Sequence, residues 1–307
     1  MNPWVEKYRP TQFGEIVLDA SNRKILSNII ETSYFPNILL YGPPGTGKTT
    51  TAMNLINAYQ KKQNNVAKDL IIHLNASDER GIDIIRNQIS SFVNSKPLFR
   101  TGMKFVILDE VDYMTKNAQQ ALRYLLQHYS SSARFCLICN YITRIDTGLQ
   151  HEFIRMRFNQ LPPIEVVQFL KRVCVAENVK MEDMSLQNIQ KLYKSDIRSM
   201  LNYIQINQRD LNTINDESWE ELILVIKNNK NNKNKIDFVT ELSLKYNIDK
   251  RNLIKDFLNY LIRNHDEYIT TEFLNSVENL LHSYNINNST FVNYAIIIQA
   301  TIQMEKK

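Results

Sequence analysis

The stretch "NILLYGPPGTGKTT", residues 37–50, decides the fold. A short apolar run, Ile38 to Tyr41, breaks into a loop and then into a segment free of Gly and Pro. The loop fits G-x-x-x-x-G-K-[ST], with Gly42, Gly47, Lys48 and Thr49 in the required places. Three of the chain's seven glycines fall in this one window, so chance is a poor explanation. Strand, glycine loop and helix in that order make a phosphate cradle, because loop amides and a helix N-terminus point N–H groups at an anion. The candidate cradle is Gly42, Pro43, Pro44, Gly45, Thr46, Gly47, Lys48 and Thr49. Lys48 would neutralise the β- and γ-phosphates of a nucleotide, and the Thr49 hydroxyl would hold Mg²⁺.

Working outward, further β-rich runs follow: "DLIIHLN" (69–75), "KFVILDE" (104–110), "RFCLICN" (134–140) and "FIRMRF" (153–158). Helical patterns lie between them at about 48–60, 81–94 and 116–129. Strands alternating with helices predict an α/β fold, a three-layer parallel sheet. All seven glycines lie at or before Gly148 and all eight prolines at or before Pro163. The second half is therefore expected to be mostly helical, with helices near 164–177, 185–194 and 196–208, then 250–263, 270–283 and 288–303. Three units are expected: an α/β domain over 1–160, a small helical lid over 161–210 and a terminal helical domain over 211–307.

Composition excludes several classes. No apolar run is long enough to cross a bilayer and no signal peptide precedes "MNPWVEKYRP", so an intracellular location with no membrane partner is expected. Cys136 and Cys139 form a C-x-x-C, but inside a buried strand, where positions i and i+3 point to opposite faces; a metal or redox pair is not expected. Of the net charge of +5, four lysines come from "KNNKNNKNK" (227–235), read as a solvated loop. Any nucleic-acid surface must then be local rather than global.

"FVILDEVD" supplies the partner of the phosphate loop. Asp109 is placed to organise Mg²⁺, and Glu110 to orient and polarise an attacking water, an arrangement that suits a hydrolase. Asn140, at a strand terminus, can hold that water or sense the γ-phosphate, although Asn also favours turns. Arg198, in "SDIRSML", starts a helix of the lid and can reach back to the nucleotide; an arginine on a helix surface would look the same in sequence.

These motifs, in this order across residues 1 to about 205, resemble a clamp-loader AAA+ ATPase, a small subunit of replication factor C. "WVEKYRP" (4–10) resembles the family's N-terminal box, which lies against the adenine and so implies Val5, Tyr8 and Arg9 at the nucleotide. "NASDERGID" (75–83) is similar to its next box, "LICNY" (137–141) to its first sensor and "SDIRSMLNYIQ" (195–205) to its second. "NAQQALRYLLQHYS" (117–130) matches the intervening helix, with Tyr124 where an arginine is usual. The last hundred residues match only as a helical collar of the right length and position.

The resemblance implies ATP and Mg²⁺ as cofactors and a place in a five-membered hetero-oligomer. That assembly opens a sliding clamp and loads it on primer–template DNA during replication. It also implies template-strand contacts from Arg80, Ile82 and Arg86, directed at phosphates and therefore blind to sequence. Residues Ser91 to Phe99 are the segment expected to meet the clamp. An ATP-binding scaffold with little hydrolysis, or another DNA-processing AAA+ motor, is the competing reading. Finally, aligning "LQHEFIRMRF" (149–158) with the family's Ser-Arg-Cys segment puts Glu152 where an arginine finger is usual.

Overall fold

The computed structural model describes residues 2–77, 85–95, 102–129, 132–208, 216–228, 232–246, 248–266, 269–282 and 291–292. The chain forms two compact units, residues 1–208 and 209–307.

The first unit is built on a five-stranded sheet of order β2-β3-β4-β1-β5. Its strands are β1 (Ile38–Tyr41), β2 (Ile71–Asn75), β3 (Lys104–Asp109), β4 (Ala133–Cys139) and β5 (Ile154–Arg157). All pairs are parallel, so each connection must cross over, and helices supply most of the crossovers. Before β1 come α1 (Trp4–Lys7) and α2 (Ala20–Thr32), the latter capped by the Asp19 carboxylate on the Asn22 N–H. Next are α3 (Lys48–Lys62), α4 (Ser90–Asn94), α5 (Lys116–Tyr129) and α6 (Thr147–Gln150). A π-helical turn, Ile85–Ile89, leads into α4. Beyond the sheet lie α7 (Pro163–Ala176), opened by a proline at its first position, α8 (Asp183–Tyr193) and α9 (Ile197–Ile206).

Alternation along the strands splits the apolar side chains into two cores. Leu39, Val106, Leu108, Leu137 and Cys139 pack with α5 on one face. Ile38, Leu40, Ile107, Cys136 and Ile138 pack with α2 and α3 on the other. The two cysteines thus belong to opposite layers, as their spacing requires, and burial pushes both thiols up to about 12. No metal-ligating cluster occurs among the described residues, and no described helix is long and apolar enough to cross a membrane. Met156 in β5 and Phe158 just after it are buried, whereas Ile154 is exposed at the start of this edge strand.

Lys104, at the start of β3, fixes the end of α4. Its ammonium donates to the carbonyls of Phe92 (2.6 Å), Val93 (3.0 Å) and Ser95, and to Ser95 Oγ (3.1 Å). A buried lysine saturating the last carbonyls of a helix is a cap reached from outside the helix, which spacing along the sequence cannot show.

The second unit contains α10 (Asp216–Asn228), α11 (Asn232–Tyr246), α12 (Lys250–Asn264) and α13 (Thr271–His282) around one core, to which Phe291 and Val292 also belong. Here the expectation of a solvated loop over 227–235 needs correction. Lys227 and Asn228 end α10, residues 232–235 begin α11, and Lys235 is buried. Val239, Leu242 and Tyr246 recur at helical spacing and face the core, so the Asn/Lys turn ahead of them is drawn into the same helix.

Candidate nucleotide site

The parallel strands end on one edge of the sheet, and the loops leaving β1, β3 and β4 meet there. The phosphate loop is held across that edge. Gly42 N–H donates to the Cys139 carbonyl at 3.3 Å, Thr46 Oγ1 to the Pro43 carbonyl at 3.0 Å, and Thr51 N–H to the Gly47 carbonyl at 2.8 Å. Gly47, at φ 85°, is the residue on which loop turns into α3.

Lys48 is 7% exposed and its ammonium is fully engaged. It donates to the carbonyls of Gly42 and Pro43 at 2.7 Å each, and to Asn140 Oδ1 at 3.0 Å. Burial lowers its pKa from the ordinary lysine value, opposed first by the negative charge of Asp109 and less by that of Asp112. Thr49 Oγ1 donates to Asp109 Oδ2 at 2.6 Å, so the two residues read as metal-holding are in direct contact. His73 Nε2, on β2, lies 4.0 Å from the same carboxylate oxygen. Glu110 follows with φ 55°, a left-handed conformation that a non-glycine residue adopts at a cost of about 1–3 kcal/mol. Its N–H closes onto Asp109 Oδ1 at 2.9 Å. Glu110 lines the same cavity as the phosphate loop.

The lid helices close the other side. Asp196 caps α9 by accepting from Ser199 N–H at 3.1 Å and Ser199 Oγ at 2.6 Å. Ile197 N–H donates to the Gly45 carbonyl at 3.2 Å. A Cβ on Gly45 would lie 1.8 Å from Asp196 Oδ1, so glycine is what lets the helix seat on the phosphate loop. Arg198, one residue into α9, then faces the same cavity. The N-terminal segment is tied to both sides: Arg9 Nε donates to Thr50 Oγ1 (3.1 Å), Asn54 Nδ2 to the Pro10 carbonyl (2.9 Å) and Trp4 N–H to Gln205 Oε1 (2.9 Å). Lys7 Nζ and Tyr8 OH share Glu177 Oε1 at 2.6 and 2.5 Å, hydrogen bonds that lower the Glu177 pKa and raise the other two.

One cavity is therefore lined by Val5, Tyr8 and Arg9, by the loop from Pro44 to Thr49, by Asp109, Glu110, Asn140 and by Arg198. Of the cradle residues read from sequence, Gly42 and Pro43 do not line it; their carbonyls anchor Lys48 instead. Motif reading did not anticipate the apolar wall formed by Ile16, Val17, Phe169 and Leu201. Only Leu201 left a trace, three residues after Arg198 on the same helix face.

Arg80 and Ile82 fall outside the described residues, as do Leu98 and Phe99, and for Arg86 only the backbone is described. Phe92 is partly buried against the α5-side core. Glu152, in the turn after α6, is away from the cavity: its Oε1 is 3.5 Å from Arg123 Nε and accepts from Gln127 Nε2 at 3.3 Å, both on α5. Arg155 Nη1 donates to Gln150 Oε1 at 3.4 Å.

Residues 38–161 match the family model described as "ATPase family associated with various cellular activities (AAA)". This region is an AAA ATPase domain. Among curated proteins, the chain is 41% identical over 219 residues to mouse "Replication factor C subunit 5", covering 70% of this chain and 63% of that protein. It is 39% identical over 203 residues to "Replication factor C small subunit 2" of Pyrobaculum islandicum, covering 66% and 62%. The chain is thus a relative of the replication factor C subunits, and it spans less than two thirds of the length of those it matches. A solved structure of a point mutant of Thermotoga maritima RuvB shares the fold, at a TM-score of 0.50 and 14% identity over 84% of this chain and 91% of that one.

Proposed function

We propose that this chain is an ATP-binding and ATP-hydrolysing subunit of a clamp loader, a hetero-pentamer that opens a sliding clamp and loads it onto primer–template DNA inside the cell during replication. The observation that carries this reading is the single cavity joining the AAA domain's phosphate loop, acid pair and Asn140 to lid Arg198 and the N-terminal segment, in a relative of replication factor C.

Adenine lies against the N-terminal segment at Val5 and Tyr8, with Arg9 beside it. Loop amides and Lys48 take the phosphates, and Lys48 exchanges its carbonyl partners for phosphate oxygens. The Thr49 hydroxyl and Asp109 carboxylate are hard oxygen donors already 2.6 Å apart, which fits Mg²⁺ held largely by phosphates and water. Held there by Thr49 and Asp109, Mg²⁺ would neutralise phosphate charge. Glu110 orients the attacking water and accepts its proton. Asn140 fixes that water against the γ-phosphate, and Arg198 reports phosphate state to the lid, residues 161–210. Residues 211–307 act as the collar that joins subunits.

Arg80, Ile82 and Arg86 track the template backbone, and the segment from Ser91 to Phe99 meets the clamp. In the complex isolated with its native neighbours, ATP turnover is expected to rise severalfold when clamp and primed DNA are added. A complex without other AAA subunits, or one indifferent to both additions, would sink the proposal.

Glu152 occupies the position where the family lends an arginine to the adjacent subunit. A carboxylate there cannot stabilise the negative transition state of a neighbour's phosphoryl transfer. Its pairing with Arg123 and Gln127 draws it onto its own subunit. This chain accordingly hydrolyses its own ATP and leaves the adjoining site without its trans-acting cation. Glu152→Arg is expected to raise hydrolysis at that adjoining site, read by inactivating the other sites in turn; an unchanged rate there counts against the assignment.

A further inference from the structure

Asp112 has no part in the chemistry above, yet its surroundings are unusual. It lies in the 3-10 turn Val111–Tyr113 that follows Glu110 and is 5% exposed. Its Oδ2 accepts the backbone N–H of Tyr141, the residue after Asn140, at 3.2 Å. Its Oδ1 is buried with no hydrogen-bond partner among the described residues. A carboxylate in that condition destabilises the fold, because a desolvated oxygen is left unsatisfied.

The position explains what this arrangement does. Strands β3 and β4 are registered from Lys104 opposite Ala133 to Leu108 opposite Leu137. The groups that act on the nucleotide, Asp109, Glu110 and Asn140, all lie beyond that last registered pair. Past it, Asp109 is still registered with Asn75 of β2 and Cys139 with Tyr41 of β1, but β3 and β4 share no further registered pair, so the loops that leave them are joined to each other by side chains. The Asp112–Tyr141 bond is such a joint: one end is two residues after Glu110, the other one residue after Asn140. Asn140 in turn touches Lys48 at 3.0 Å. We infer that Asp112 is a positioning residue for nucleotide hydrolysis, setting the height of Asn140 against Glu110 and Lys48 through the Tyr141 N–H.

This inference rests on the hydrolytic reading of the cavity, so its test carries a control for that reading. ATP turnover is measured at saturating ATP in the assembled complex, and ATP affinity on the full chain. Asp112→Ala is expected to lower turnover about tenfold with affinity changed less than about twofold, since placement of the reacting groups is lost and the phosphate cradle is not. Asp112→Asn keeps an acceptor for Tyr141 N–H and is expected to remain within about twofold of the parent. The Asp112→Ala, Asn140→Ala double variant is expected to be no slower than Asn140→Ala alone, because both changes remove one function. Parental turnover in Asp112→Ala, equal losses in the Asn and Ala variants, or losses that multiply in the double variant would each overturn the assignment. Glu110→Gln is run beside them. A loss in that control with none in Asp112→Ala overturns only the role of Asp112, whereas a control without loss removes the hydrolytic reading and this inference with it.

Discussion

Replacing Glu110 by glutamine is expected to cut ATP turnover of the assembled complex by about 100-fold or more, while ATP binding stays within about twofold of the parent. The glutamine is the same size and keeps the left-handed turn at residue 110, so the Asp109 contact with Thr49 survives. What it loses is the ability to take a proton from water. Lys48→Ala is expected to behave differently, losing binding and turnover together. Its ammonium lies buried among loop carbonyls and Asn140, and no alanine can bridge from loop to phosphate. Binding is read by titrating a fluorescent ATP analogue, turnover by phosphate release with clamp and primed DNA present. Unchanged turnover in both variants would leave the scaffold reading standing in place of hydrolysis.

The contrast between the two variants also marks what the sequence could disclose. Lys48, Asp109, Glu110 and Asn140 were legible because each is fixed by a local rule: a glycine loop opening a helix, or a polar residue ending an apolar strand. The sheet followed from the same rule, since Cys136 and Cys139 fall on opposite layers by strand alternation alone. Contacts that depend on where two distant segments meet left no such mark. Glu177, 169 residues from Tyr8, accepts its hydroxyl, and Lys104 caps a helix to which it does not belong. The Asn/Lys run misled for the converse reason. Its composition reads as solvent, but the helix it joins is set by the apolar positions that follow it.

Gly42→Ala is expected to be the most disruptive single methyl in the phosphate loop, and Gly47→Ala is the comparison that shows why. Both glycines have positive φ, 144° and 85°, so alanine at either position carries backbone strain of about 1–2 kcal/mol. At Gly47 that is all, because nothing lies within 4 Å of the added carbon. At Gly42 the carbon would sit 1.8 Å from the Phe158 carbonyl oxygen and 2.8 Å from its carbon. That obstacle is backbone, and it cannot rotate away. Phe158 is 1% exposed, and its N–H is bonded to the Tyr41 carbonyl at 2.7 Å, so relief requires parting the end of β5 from β1. Overpacking of this kind adds about 1–3 kcal/mol to the strain, for a total of about 2–5 kcal/mol against about 1–2 at Gly47. Urea unfolding of the full chain should show the difference, and amide exchange in residues 38–41 and 154–158 should rise in Gly42→Ala but not in Gly47→Ala. Equal stability of the two variants would mean that β5 yields easily at this point. The functional consequence follows from the same contact: the Gly42 carbonyl holds Lys48 Nζ at 2.7 Å, so a displaced loop misplaces the cation before any nucleotide arrives. The end of the edge strand therefore serves the site by packing, through the Phe158 backbone carbonyl.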